Sequence, residues 1–124
     1  MLPEEIAGRI QENQWLYQEC YELAKRNFAP FPQAHLIRGR VPDTLNNVQI
    51  DKVCYLSIDM NIVVPEIAAI KFFYDKLVKG APVILDDYGF TNYYKQKEAW
   101  DAFAATKGIK ILCLPTGQGL FIKL

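Results

Sequence analysis

Three side chains of this 124-residue sequence could do chemistry together: Asp59, Asp86 and Asp87. Each closes a short apolar run, Val-Cys-Tyr-Leu-Ser-Ile-Asp from Val53 to Asp59 and Pro-Val-Ile-Leu-Asp-Asp-Tyr-Gly from Pro82 to Gly89. Runs that are apolar at nearly every position read as buried strands of a parallel sheet, and in open α/β sheets ligands collect at the carboxyl ends of such strands. Neighbouring strands lie about 4.8 Å apart, so carboxylates at two adjacent ends can share one cation. With no His or Cys beside them, that ion is a hard, oxygen-seeking one, Mg²⁺ or Ca²⁺ rather than zinc. The adjacent pair Asp86 and Asp87 strengthens the expectation, because like charges at a buried strand end are unfavourable unless something positive faces them. Lys76 and Lys79 could supply that charge only from the far end of the preceding helix. Any one of the aspartates could instead cap the following helix or bond a loop.

The elements that must position these residues are legible in outline. Pro3, Glu4 and Glu5 open a helix expected over 3–28, with Ile10, Tyr17, Tyr21, Ala24 and Phe28 on its apolar stripe and Pro30 and Pro32 beyond its end. A short strand is expected near 35–38, beginning at His35, which reads as an ordinary exposed or edge histidine. The central strand over 53–58 is expected to be covered on both faces. Pro65 and Glu66 open a helix that stops at Gly80, a strand follows over 83–86, and a further helix runs from about Asn92 to Thr106 with Gly108 at its end. Strands near 109–114 and 119–124, joined by Pro115 to Gly119, form an antiparallel pair. Together these elements predict a single domain over 1–124.

Composition narrows the function. Fourteen basic residues balance fourteen acidic ones, so no global field draws in nucleic acid or an anionic membrane. No apolar run approaches ~18 residues and no basic start precedes one, which argues against a membrane span or a signal peptide and points to the cytoplasm. Cys20, Cys54 and Cys113 are odd in number and far apart, so they read as reduced, buried core thiols rather than a disulfide framework.

Four stretches carry a family resemblance: Gly-Arg-Val-Pro-Asp-Thr-Leu at 39–45, Leu-Ser-Ile-Asp-Met-Asn at 56–61, the helix with Lys76-Leu77 leading to Gly80, and Val-Ile-Leu-Asp-Asp-Tyr-Gly at 83–89. From about Phe28 to Leu124 the chain resembles the carboxyl-terminal half of the macrocin O-methyltransferase family, metal-dependent users of S-adenosylmethionine. The resemblance implies a truncated class I methyltransferase (Rossmann-like) sheet, α/β and mostly parallel with a C-terminal antiparallel hairpin, lacking the first two strands. It implies that Asp59, Asp86 and Asp87 hold Mg²⁺ against the hydroxyls of a small, sugar-like acceptor. Asp59 is the implied general base, Asn61 and Tyr88 are implied at the acceptor, and Gly39 and Arg40 stand where relatives line the adenine. Many relatives carry an aspartate where this chain has Asn61, which can offer a carbonyl oxygen but no charge.

The glycine-rich turn and the acidic residue that hold the cofactor in this fold precede the matching region. Gly117 and Gly119 read instead as a hairpin turn. The chain alone is therefore expected to be inactive, and the alternative is a truncated or diverged half-domain serving assembly only. Without its family neighbours, the strand at 53–58 would offer an unpaired edge, which predicts a homodimer or larger assembly.

Overall fold

A computed structural model describes residues 18–124. By its internal contacts the chain falls into two compact units, Met1–Arg40 and Val41–Leu124.

Within the first unit, α1 (Tyr21–Phe28) is the described portion of the predicted 3–28 helix. Residues 18–20 are not helical, so the helix does not run unbroken into α1, and the rest of the prediction lies outside the described residues. Glu19 organises this start, accepting the Tyr21 backbone N–H at 2.9 Å and the Arg38 guanidinium at 2.6 Å. No residue of α1 is buried. The strand expected near 35–38 is absent: the segment has no regular structure and no partner among the described strands. Its four residues are too few to hold a ladder alone, since a strand forms only where a neighbour accepts its backbone bonds.

The second unit holds a four-stranded sheet in the order β1 (Leu56–Ile58), β2 (Pro82–Leu85), β4 (Gly119–Ile122), β3 (Leu112–Cys113). Of the paired strands, β1 with β2 is parallel, while β2 with β4 and β4 with β3 are antiparallel. The strands are shorter than the apolar runs that announced them. Val53 makes only an isolated parallel bridge to Leu77, with its N–H on the Lys76 carbonyl at 2.8 Å.

Helix α2 (Val63–Phe73) follows β1 and helix α3 (Tyr94–Lys107) follows β2. Pro65 sits in the first turn of α2, where its missing N–H has no partner to lose. On α3, Gln96, Trp100, Phe103 and Ala104 are buried at a spacing that draws one apolar stripe along the helix. Gly108 ends α3 in the left-handed region, with φ of 64°.

The register places Ile58, Val83, Leu85 and Phe121 on the sheet face that packs against Ala69, Ile70, Trp100, Phe103 and Ala104. Trp100, Ile70, Val83 and Leu85 are almost wholly enclosed. The opposite face is apolar yet open. Ile122 is 45% exposed and Leu112 is 61% exposed, and Ser57 is exposed too, so the expected two-sided coverage of the central strand does not occur. The reason is that α2 and α3 contribute to one and the same core. All three cysteines are free but exposed, which corrects the reading of them as core residues: Cys20 and Cys54 lie outside regular elements and Cys113 lies on the edge strand β3.

Candidate functional site

The parallel register Leu56↔Val83, Ser57↔Ile84, Ile58↔Leu85 leaves Asp59 and Asp86 as the next residues of two adjacent strands. The Asp86 backbone N–H donates to the Ile58 carbonyl at 3.0 Å, so the ladder extends one step into the acidic end. Burial, then the charge of Asp86, raises the Asp59 pKa above the ordinary carboxylate value. The two carboxylates therefore feel each other. Among the described residues no ion pair reaches either of them. Lys76 does not supply one; its ammonium lies 4.9 Å from the Phe72 ring centre.

Asp87 follows Asp86 in the turn after β2. It is buried, at 9% exposure, and its charge acts on a residue that the sequence reading treated only as a helix-start carboxylate, Glu66. Glu66 stands in the first turn of α2, is 4% exposed, and accepts the indole N–H of Trp100 at 2.8 Å. Its pKa is raised to about 7, first by burial, with smaller contributions of the same sign from the charges of Asp87 and Asp59. A lone carboxylate among Val63, Val64 and Ile67 was the available signal for its burial.

Gln118 was missed altogether. Its side-chain amide donates to Asp86 Oδ1 at 2.8 Å, bringing the turn between β3 and β4 onto the strand end. Nothing in the local sequence announced this, because the contact spans 32 residues.

The remaining expected residues are distributed differently. Asn61 lies in the loop from β1 to α2 with φ of 57°, a left-handed conformation that asparagine tolerates better than most residues. Tyr88 is turned into the protein, with its hydroxyl donating to Asp101 at 2.5 Å while Lys97 donates to that hydroxyl at 3.3 Å. Burial first, and then the bond to Asp101, raises the Tyr88 pKa. Its phenol is thus a strut between the acidic loop and α3 rather than an open wall. Gly39 and Arg40 are both exposed and close the first unit.

Among the described residues no three His, Cys, Asp or Glu side chains converge as a ready cation seat. What the structure offers is a linked set of charges, Asp59 feeling Asp86 and Glu66 feeling both Asp87 and Asp59. The donor chemistry fits a hard divalent cation: the side chains offer oxygen ligands, and the charge of Asp86 helps to raise the Asp59 pKa. A groove of about 640 Å³ lies elsewhere, between α2 and α3, and none of the aspartates lines it.

Among the described residues the glycines do not build a cofactor cradle. Gly117, with φ of 89°, forms the turn between β3 and β4, and Gly119 begins β4. Among the described residues neither β1 nor β2 runs through a glycine-rich turn into a helix, so they do not fit S-adenosylmethionine. No helix of the described residues is long and apolar enough to cross a membrane.

Comparison with known proteins agrees with this architecture. No curated protein matches the chain. The solved structure of the O-methyltransferase NovP superposes with a TM-score of 0.69 at 22% identity, covering 82% of this chain and 44% of that one. The likeness establishes a truncated methyltransferase fold, and the chain spans less than half of that relative. The family model for macrocin O-methyltransferase (TylF) matches residues 11–113. With the match running through both acidic strand ends, the chain belongs to the macrocin O-methyltransferase family.

Proposed function

We propose that this chain is the metal- and acceptor-holding half of an S-adenosylmethionine-dependent O-methyltransferase for a small hydroxylated, sugar-like molecule, and that it transfers no methyl group alone. The observation that carries the reading is the register that sets Asp59 beside Asp86, with no ion pair to either among the described residues. Asp59, Asp86 and Asp87 would hold Mg²⁺ or Ca²⁺. When bound, such an ion eases deprotonation of a hydroxyl. Asp59 takes that proton on its carboxylate, a role supported by its raised pKa. Asn61, on the same loop, offers a carbonyl oxygen to the acceptor. Gly39 and Arg40 would line the adenine, as the family implies, only together with the cofactor-holding half of such an enzyme. The chain works in the cytoplasm, bound neither to nucleic acid nor to membrane.

A second reading, a half-domain that serves assembly, is favoured by the position of β1 at the sheet edge. Thermal unfolding separates the two. On the first reading, millimolar Mg²⁺ raises the melting temperature, and the double variant Asp86→Ala, Asp87→Ala loses the rise. An unchanged melting temperature in the unsubstituted chain would leave only assembly. Calorimetry with S-adenosylmethionine is expected to show no binding to this chain alone.

A further inference from the structure

We propose that Gln118 is a positioning residue of the acidic site, holding Asp86 in place while Thr116 holds Gln118. This inference rests on the metal-binding reading above.

The fold brings the turn to the strand end. Leu85 pairs with Gly119 in the antiparallel register, so the residues just before Gly119 lie against those just after Leu85. The turn is itself braced, with the Gly117 N–H on the Leu114 carbonyl at 3.0 Å and the Leu114 N–H on the Gln118 carbonyl at 2.8 Å. A further bond, from the Gly89 N–H to the Gly117 carbonyl at 2.6 Å, ties the turn to the acidic loop.

Side chains then complete a relay. The Thr116 hydroxyl donates to Gln118 Oε1 at 3.1 Å, which orients the carboxamide so that Nε2 donates to Asp86 Oδ1 at 2.8 Å. The chemistry of the donor matters. A lysine at this position would quench the charge of Asp86, whereas a neutral amide fixes the carboxylate and leaves its charge for a cation. Hydrogen-bond partners behind a ligand typically affect metal affinity by about 10–100-fold.

The experiment has two arms on the full chain. Calorimetry with MgCl₂ compares the unsubstituted chain with Gln118→Ala and with Thr116→Val, whose exposed position keeps folding intact. The relay predicts a loss of Mg²⁺ affinity of about tenfold or more for Gln118→Ala and a smaller loss for Thr116→Val. Equal affinities in all three chains overturn it. The second arm needs no metal: the Gln118 side-chain amide signal in a ¹H–¹⁵N spectrum is expected to shift in Asp86→Asn and in Thr116→Val, and to stay in place in Asp59→Asn. If the unsubstituted chain takes up no Mg²⁺, the proposed function fails. The relay is then decided by the spectrum: a shift in Asp86→Asn supports the link, and an unmoved signal overturns it.

Discussion

Glu66 shows most clearly what a single residue can carry. An acid whose pKa is raised to about 7 in the folded chain, against 4.5 unfolded, binds more protons folded than unfolded between those values. Its contribution is therefore fully favourable below pH 4.5, falls as pH rises, and levels off above about pH 7. The loss across that window is on the order of 3 kcal/mol. Urea unfolding of the metal-free chain at several pH values should show this decline, and Glu66→Gln, which still accepts the Trp100 N–H, should flatten it. Parallel slopes for the two chains would refute the assignment. Asn61 makes a second prediction at this scale. Its φ of 57° suits glycine as well, so Asn61→Gly leaves stability nearly unchanged, while Asn61→Val costs about 1–2 kcal/mol. Denaturant midpoints of the two variants check the contrast. The acidic residues could be read from the sequence because they end apolar runs. The burial of Glu66 was hinted at by its apolar neighbours, but its partner was not, since Trp100 lies 34 residues away.

At the scale of elements, the acidic loop is clamped by close packing. A Cβ added to Gly119 would lie 2.7 Å from the Tyr88 ring, and one added to Gly89 would lie 2.7 Å from the Gly117 carbonyl oxygen. Both glycines let the loop after β2 rest directly on the turn before β4. Gly119→Ala and Gly89→Ala are accordingly expected to destabilise by about 1–3 kcal/mol each, read as lower denaturant midpoints; unchanged midpoints would show that the loop yields freely. Helices α2 and α3 and the hairpin were legible because their signals are local: Pro65 in a first turn, Gly108 after a last one, a turn cluster between two apolar runs. What failed was what needs a neighbour. The 35–38 segment has strand-like residues and no strand partner among the described residues, and the 53–58 run looked two-sided because its composition does not say which face the helices take.

For the molecule as a whole, the family match and the NovP likeness describe a methyltransferase sheet of which only part is present. Among the described strands β1 lies at the sheet edge, and Leu112 and Ile122 stand exposed on an apolar sheet face. Exposed edges and faces of this kind recruit partners, and sedimentation at micromolar concentration is expected to show a dimer or larger species; a monomer would count against self-assembly. The account nonetheless turns on the strand ends. Its most direct test is Mn²⁺, a paramagnetic stand-in for Mg²⁺ with the same preference for oxygen, added to the ¹⁵N-labelled chain. Selective broadening of the backbone signals of Asp59, Asp86 and Asp87, abolished in Asp86→Asn, is the predicted result. Broadening elsewhere, or none, would contradict a divalent cation site at the ends of β1 and β2.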